Sequence, residues 1–109
     1  MEKFIKGDVV VIPFPFSDLS GSKRRPALVL ADLKGDDIIL CQITSQQNDD
    51  SYAVSLNNKY FSNGSLPVNS NIRPNRIFTA DKTIIIKKAG SISNTKMKSV
   101  IDSVHQIIK

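Results

Sequence analysis

Two arginine-proline pairs and a strand ending in hydroxyls are the residues of this 109-residue chain best suited to chemistry on an anion. The run Ser20-Gly21-Ser22-Lys23-Arg24-Arg25 is small, flexible and basic, and it feeds straight into Pro26-Ala27-Leu28-Val29-Leu30. Pro26 fixes its own φ and drives Arg25 toward extended backbone, so the Arg25 guanidinium is aimed from a rigid strand entrance while Lys23 and Arg24 stay freer. A planar cation with five donors grips a phosphate through two parallel hydrogen bonds. The same run also suits a solvated basic turn. Downstream, Ile43-Thr44-Ser45-Gln46 ends the apolar strand Ile38-Ile39-Leu40-Cys41-Gln42. Hydroxyls and an amide at a strand terminus bond phosphate oxygens or base edges, and equally well start a turn. A third run, Asn71-Ile72-Arg73-Pro74-Asn75-Arg76, repeats the pairing, and Arg73, Asn75 and Arg76 either widen an anion groove or form a surface loop between strands.

Other chemistry is poorly supplied. His105 lies at i+4 from Ile101, which makes it a helix-edge residue, and Cys41 sits among apolar strand neighbours, which makes it a small buried hydrophobe and not a thiolate nucleophile. One cysteine and one histidine cannot complete a four-ligand zinc site, and a lone cysteine forms no internal disulfide. No carboxylate pair stands at an informative spacing, so neither a metal nor a cofactor is expected.

The elements that position these residues are mostly strands. Apolar, β-branched runs recur at Asp8 to Ile12, Ala27 to Ala31, Asp37 to Thr44, Tyr52 to Leu56, Ile72 to Phe78 and Thr83 to Ile86. Turn residues punctuate them at Ser17-Gly21, Lys34-Asp36, Asn57-Asn58, Asn63-Gly64 and Asn69-Asn71. At the C-terminus, Met97, Val100, Ile101, Val104 and Ile108 form the stripe of an amphipathic helix, with Ser93 or Asn94 as its cap and Gly90 as a flexible entry. The spacing predicts a mainly β fold, a small closed or half-open barrel with one C-terminal helix over its end or face.

Hydrophobic residues at 40% and charged residues at 23% fit a folded domain, and the length predicts a single domain over residues 1–109. The net charge of +5 is uneven: residues 1–30 carry five basic and three acidic side chains, residues 31–72 two and five, and residues 73–109 eight and two. A basic domain so divided suits an anionic partner, a nucleic-acid backbone or an acidic protein. Pro13 and Pro15 interrupt the N-terminal apolar run before a signal-peptide core could form, and no apolar stretch reaches the ~20 residues of a membrane span. The chain reads as cytoplasmic, with no membrane partner.

With these residues in hand, the sequence resembles the MazF/PemK family of toxins of type II toxin-antitoxin systems. The likeness rests on Lys6-Gly7-Asp8-Val9-Val10, Phe14-Pro15-Phe16, Asp18-Leu19, Lys23 to Leu30, Ile43-Thr44-Ser45 and Asp81-Lys82, spread over nearly the whole chain. The resemblance implies an SH3-like barrel, shared with the CcdB toxins, and a C-terminal helix. It further implies a homodimer, metal-independent cleavage of single-stranded RNA including mRNA, inhibition by a cognate acidic antitoxin, and DNA binding by the toxin-antitoxin complex. It carries the catalytic roles to Arg25 and Thr44. Lys23, Arg24, Ser45, Gln46, Arg73, Asn75 and Arg76 are the expected RNA contacts, the last three from their residue types and not from a family motif. Cleavage without a metal uses the ribose 2′-hydroxyl as nucleophile and leaves a 2′,3′-cyclic phosphate, which confines the substrate to RNA. The general acid and base stay unassigned, because an arginine guanidinium holds its proton in proteins. Two other functions fit the same residues: a non-catalytic toxin that binds a protein such as DNA gyrase, and a plain nucleic-acid-binding module.

Overall fold

β-Branched and leucine side chains that alternate in direction give this chain a sheet buried on both faces. The computed structural model describes residues 3–14, 23–46 and 51–109, with Phe14 and Lys23 as backbone only; the expected Ser17-Gly21 turn and the Lys23 side chain lie outside the described residues. The strands are β1 (Asp8–Phe14), β2 (Lys23–Asp32), β3 (Asp37–Thr44), β4 (Val54–Leu56), β5 (Phe61–Gly64), β6 (Ser70–Asp81) and β7 (Lys87–Ile92), followed by the helix α1 (Asn94–Ile108). They form one antiparallel sheet in the order β4-β6-β3-β2-β1-β7-β5. This is the mainly β half-barrel with a terminal helix that the spacing predicts.

Register decides which residues share a face. Val9 pairs with Leu28 and Leu28 with Cys41, and these three join Ile43, Leu56, Ile72, Met97 and Val100 in one core. Val10 pairs with Ala27 and Val29 with Leu40, and these pack with Phe4, Ile12 and Ile38 in a second core on the opposite face. Each fully buried leucine or valine among them contributes about 1.5–3 kcal/mol relative to exposure. Cys41 is fully buried, as its neighbours predict, and its sulfhydryl donates to the Arg73 carbonyl at 2.9 Å.

Several boundaries differ from expectation, each for a local reason. Ile72 to Phe78 is strand as expected, but β6 begins earlier, at Ser70, and the alternative of a loop over Asn71 to Arg76 does not hold: Cys41 pairs with Ile77 and Ile43 with Ile72, so Arg73 to Arg76 oppose the single residue Gln42. That bulge lets Pro74, which has no N–H for a ladder, sit buried in an interior strand. Thr83 to Ile86 is not a strand. Asp81 Oδ1 accepts from both the Thr83 N–H and the Thr83 hydroxyl at 2.8 Å, and this cap starts a 3₁₀ turn over Lys82–Ile84 before β7 begins at Lys87. Asn63-Gly64 closes β5 instead of forming a turn, and Gly90 is not a flexible entry but a buried residue of β7. A Cβ at Gly90 would stand 2.4 Å from the Asn63 carbonyl oxygen, so β5 approaches β7 only because Gly90 lacks one.

Ser93 caps α1, its hydroxyl accepting from the Lys96 N–H at 3.2 Å, and Asn94 is the first helical residue. Met97 and Val100 are buried and Val104 packs against them, whereas Ile101 and Ile108 of the same stripe remain exposed. His105 is an exposed helix residue. Among the described residues, no helix is long and apolar enough to cross a membrane.

Candidate active site

The strand that delivers Arg25 is held in register by the start of the chain. Gly7, at φ +98°, turns the backbone so that its N–H donates to the Val29 carbonyl and its carbonyl accepts from the Ile92 N–H, both at 2.9 Å. Asp8, 1% exposed, accepts from the Ile5 N–H at 3.0 Å and the Ser91 hydroxyl at 2.7 Å, and pairs with Lys88 at 3.4 Å. A buried carboxylate with three partners fastens β1 to β7. At the far turn, Lys82 ion-pairs with Asp32 and donates to the Gly35 carbonyl at 3.0 Å, clamping the β2–β3 connection. The Gly-Asp and Asp-Lys motifs are thus fasteners of the sheet.

Arg25 and Thr44 come to the same end of one strand pair. The β2–β3 ladder pairs Ala27 with Gln42; Arg25 lies two residues before Ala27 and Thr44 two residues after Gln42. Because side chains alternate with period two, both belong to the side of the sheet that Ala27 and Gln42 face. Pro26 pairs with Val11 of β1 and keeps this entrance extended. Thr44 is 6% exposed, and its Oγ1 accepts from the Gln46 N–H at 3.1 Å. That bond fixes the oxygen and leaves the hydroxyl proton to be donated elsewhere.

Of this pair Arg25 lines a cavity of about 540 Å³ and Thr44 does not; Arg24, Lys87 and Lys88 share the lining and, among the described residues, no acidic side chain does. Ser45, Ser65 and Ser70 add hydroxyls to the wall, and Val11, Pro26 and Ile43 its apolar part. Among the described residues, Arg24, Arg25 and Lys87 are in no ion pair. Arg24 and Ser45 are exposed on it; Gln46 is exposed just beyond Ser45 and outside the lining. Arg73, Asn75 and Arg76 stand on the β6 bulge, also outside it. Lys87 and Lys88 were not singled out from the sequence. The eight basic residues after position 72 are the signal that could have found them, but only the β1–β7 pairing, Val11 with Lys87 and Val10 with Lys88, brings them to this place.

Among the described residues, two groups have displaced pKa values, both outside the cavity wall. Burial pushes the Cys41 thiol up to about 12. The hydrogen bonds from Thr83 hold the exposed Asp81 carboxyl below its ordinary value. Among the described residues, no group of three or more His, Cys, Asp or Glu side chains is placed to hold a metal ion.

A curled antiparallel half-barrel with one C-terminal helix, and with a hollow lined by four basic residues at one strand end, defines a class of small, mainly β protein. The chain is a member of one family within it: the model of the PemK-like, MazF-like toxins of type II toxin-antitoxin systems matches residues 5–108, and the chain belongs to that family. No curated protein matches by sequence. Among solved structures, a MazE-MazF complex from Deinococcus radiodurans is 16% identical with a TM-score of 0.76, over 99% of this chain and 97% of that one. An endoribonuclease from a mycobacterial species, in complex with its cognate antitoxin, is 14% identical with a TM-score of 0.73, over 95% and 93%. The Mycobacterium tuberculosis toxin MazF-mt6 is 12% identical with a TM-score of 0.72, over 91% and 93%. At these identities the likeness is one of fold.

Proposed function

We propose that this chain is an endoribonuclease toxin that cuts single-stranded RNA without a metal and is silenced by an acidic antitoxin. The observation that supports the reading is the alignment of Arg25 and Thr44 at one end and on one side of the β2–β3 pair, with Arg25 lining a cavity together with three other basic residues and, among the described residues, no acidic one. In the reaction the ribose 2′-oxygen attacks phosphorus and the bond to the 5′-oxygen breaks. The 2′-proton is given up and the departing 5′-oxygen takes one, leaving a 2′,3′-cyclic phosphate and a 5′-hydroxyl. Charge builds on the phosphoryl oxygens as the pentavalent species forms. Arg25 neutralises it, and Thr44 donates its free hydroxyl proton to one of those oxygens, a preorganised donor worth ~2.7–4 kcal/mol of barrier. Arg24 and Lys87 hold the flanking phosphates, with Lys23, Ser45, Gln46, Arg73, Asn75 and Arg76 as the further RNA contacts.

The same cluster of positive charge suits an acidic antitoxin segment, in keeping with the antitoxin complexes among the structures of the same fold. The reading includes a homodimer, supported by Ile101 and Ile108, which the protomer leaves uncovered seven residues apart on one helix face.

The test is incubation of the purified protein with single-stranded RNA in excess EDTA. Cutting by the wild type that is lost in Arg25→Ala supports the reading; intact RNA, or equal cutting by the variant, rejects it. Growth arrest on expression with cellular RNA left whole would point instead to a toxin that binds a protein such as DNA gyrase.

A further inference from the structure

A second hollow of about 190 Å³ adjoins the cationic one, sharing Ser45 and Ser70 with it, and its chemistry is different. Ser55, Asn57, Asn69 and Asn71 complete its polar lining over the buried Leu56, and among the described residues no charged one takes part. Register ties this hollow to the proposed reaction centre: Asn71 pairs with Thr44 on one side and with Ser55 on the other. One row across β3, β6 and β4 thus runs from Thr44 through Asn71 to Ser55, and directly paired residues of neighbouring strands face the same side.

From this juxtaposition we infer that the neutral hollow reads the base of the nucleotide next to the cut, with Asn71 as the principal reader. This rests on the reading of the chain as an endoribonuclease and goes beyond it by locating sequence selection. A phosphate has no reason to enter a site without a cation while four basic residues line the hollow beside it. A base presents both donors and acceptors on its Watson–Crick edge, and a carboxamide supplies both in return. Among the described residues the Asn71 amide has no hydrogen-bond partner, whereas Asn57 Oδ1 already accepts from the Lys59 N–H at 3.2 Å and the Ser70 hydroxyl donates to the Val68 carbonyl at 3.1 Å. Asn57 and Ser70 therefore shape the hollow, and Asn71, with Asn69 and Ser55 at its sides, is free to select. The volume of about 190 Å³ is enough for one base.

The experiment is cleavage of an RNA pool randomised in sequence, with the ends of the products mapped, for wild type, Asn71→Asp and Ser55→Ala. Asn71→Asp replaces the amide donors by acceptors at nearly constant shape. The expected result is a change of roughly fivefold or more in base preference at one position adjoining the cut, the lower end of what one amide-base pair discriminates, with other positions unaltered. An unchanged cut-site profile in both variants overturns the inference and leaves the endoribonuclease reading intact. Absence of cutting by the wild type overturns that reading instead. Should Asn71→Asp cut nothing, binding of uncleavable 2′-deoxy oligonucleotides differing at the adjoining base decides: the wild type must rank them and the variant rank them differently, and identical rankings refute the role.

Discussion

Thr44 meets the narrowest demand in the site, because a single hydroxyl has to accept from the Gln46 N–H and still donate outward. Thr44→Ser keeps both capacities and is expected to cleave RNA within about tenfold of wild type. Thr44→Val, equal in shape but without the hydroxyl, is expected to lose ~10²–10³ in kcat, as preorganised donors do elsewhere. Single-turnover cleavage of a labelled oligonucleotide measures both, and far-UV circular dichroism checks the fold. Asp8 serves stability instead: Asp8→Ala strands the Ile5 N–H and the Ser91 hydroxyl, and the midpoint of urea unfolding is expected to fall by an equivalent of about 3 kcal/mol. Cys41 links stability to pH. Its folded thiol titrates near about 12 against the ordinary 9.0, so between those values the unfolded chain gives up a proton that the folded chain keeps. The stability it contributes is whole below pH 9.0 and declines as pH rises toward 12. Wild type should therefore lose more stability than Cys41→Val between mildly and strongly alkaline pH in urea titrations, and alkylating agents should spare the folded protein.

At the scale of elements, the end strand β5 depends on what β7 lacks. Gly90→Ala would drive a Cβ to 2.4 Å from the Asn63 carbonyl and 2.9 Å from Gly64 Cα, both backbone atoms that cannot swing aside. The expected outcome is loss of the β5–β7 pairing, read as fast hydrogen exchange at Phe61 to Gly64, with the remaining ladders still protected. The elements also separate what was legible in the sequence from what was not. The strand Asp37–Thr44 could be read to its ends because turn residues precede it and polar residues follow its apolar run. The Met97 to Val104 stripe gave the helix, since only a 3.6-residue period brings those side chains together. Thr83 to Ile86 misled because its composition is that of a strand, while the deciding influence, the Asp81 cap, is one side chain making two short hydrogen bonds. The β6 bulge was hidden for a related reason: Pro74 advertises a break, but only the pairing of Ile72 with Ile43 and of Ile77 with Cys41 on either side of it shows that the break lies inside a strand.

Across the whole molecule, function in this account depends on charge gathered from distant stretches of chain. Arg24 and Arg25 could be found locally, beside their proline; Lys87 and Lys88 could not, because their place beside the arginines exists only through β1, paired with β2 on one edge and β7 on the other. Removing Arg24 or Lys87 by alanine substitution should weaken RNA binding evenly across sequences. Each should also lower the slope of log affinity against log salt by about 0.7, one phosphate contact on a single strand. Fluorescence anisotropy of a labelled 2′-deoxy oligonucleotide at several salt concentrations measures both effects. The most direct test of the central claim is a double-mutant comparison in EDTA, with single-stranded RNA cut by wild type, Arg25→Ala, Thr44→Val and the pair, and with one 2′-deoxy substitution at the cut nucleotide. Two charge-stabilising groups that act on one transition state should each cost ~10²-fold or more and cost less together than the product of the two; wild-type products should end in a 2′,3′-cyclic phosphate and vanish with the 2′-hydroxyl. Cutting that survives the 2′-deoxy substitution, or that is indifferent to both side chains, contradicts it.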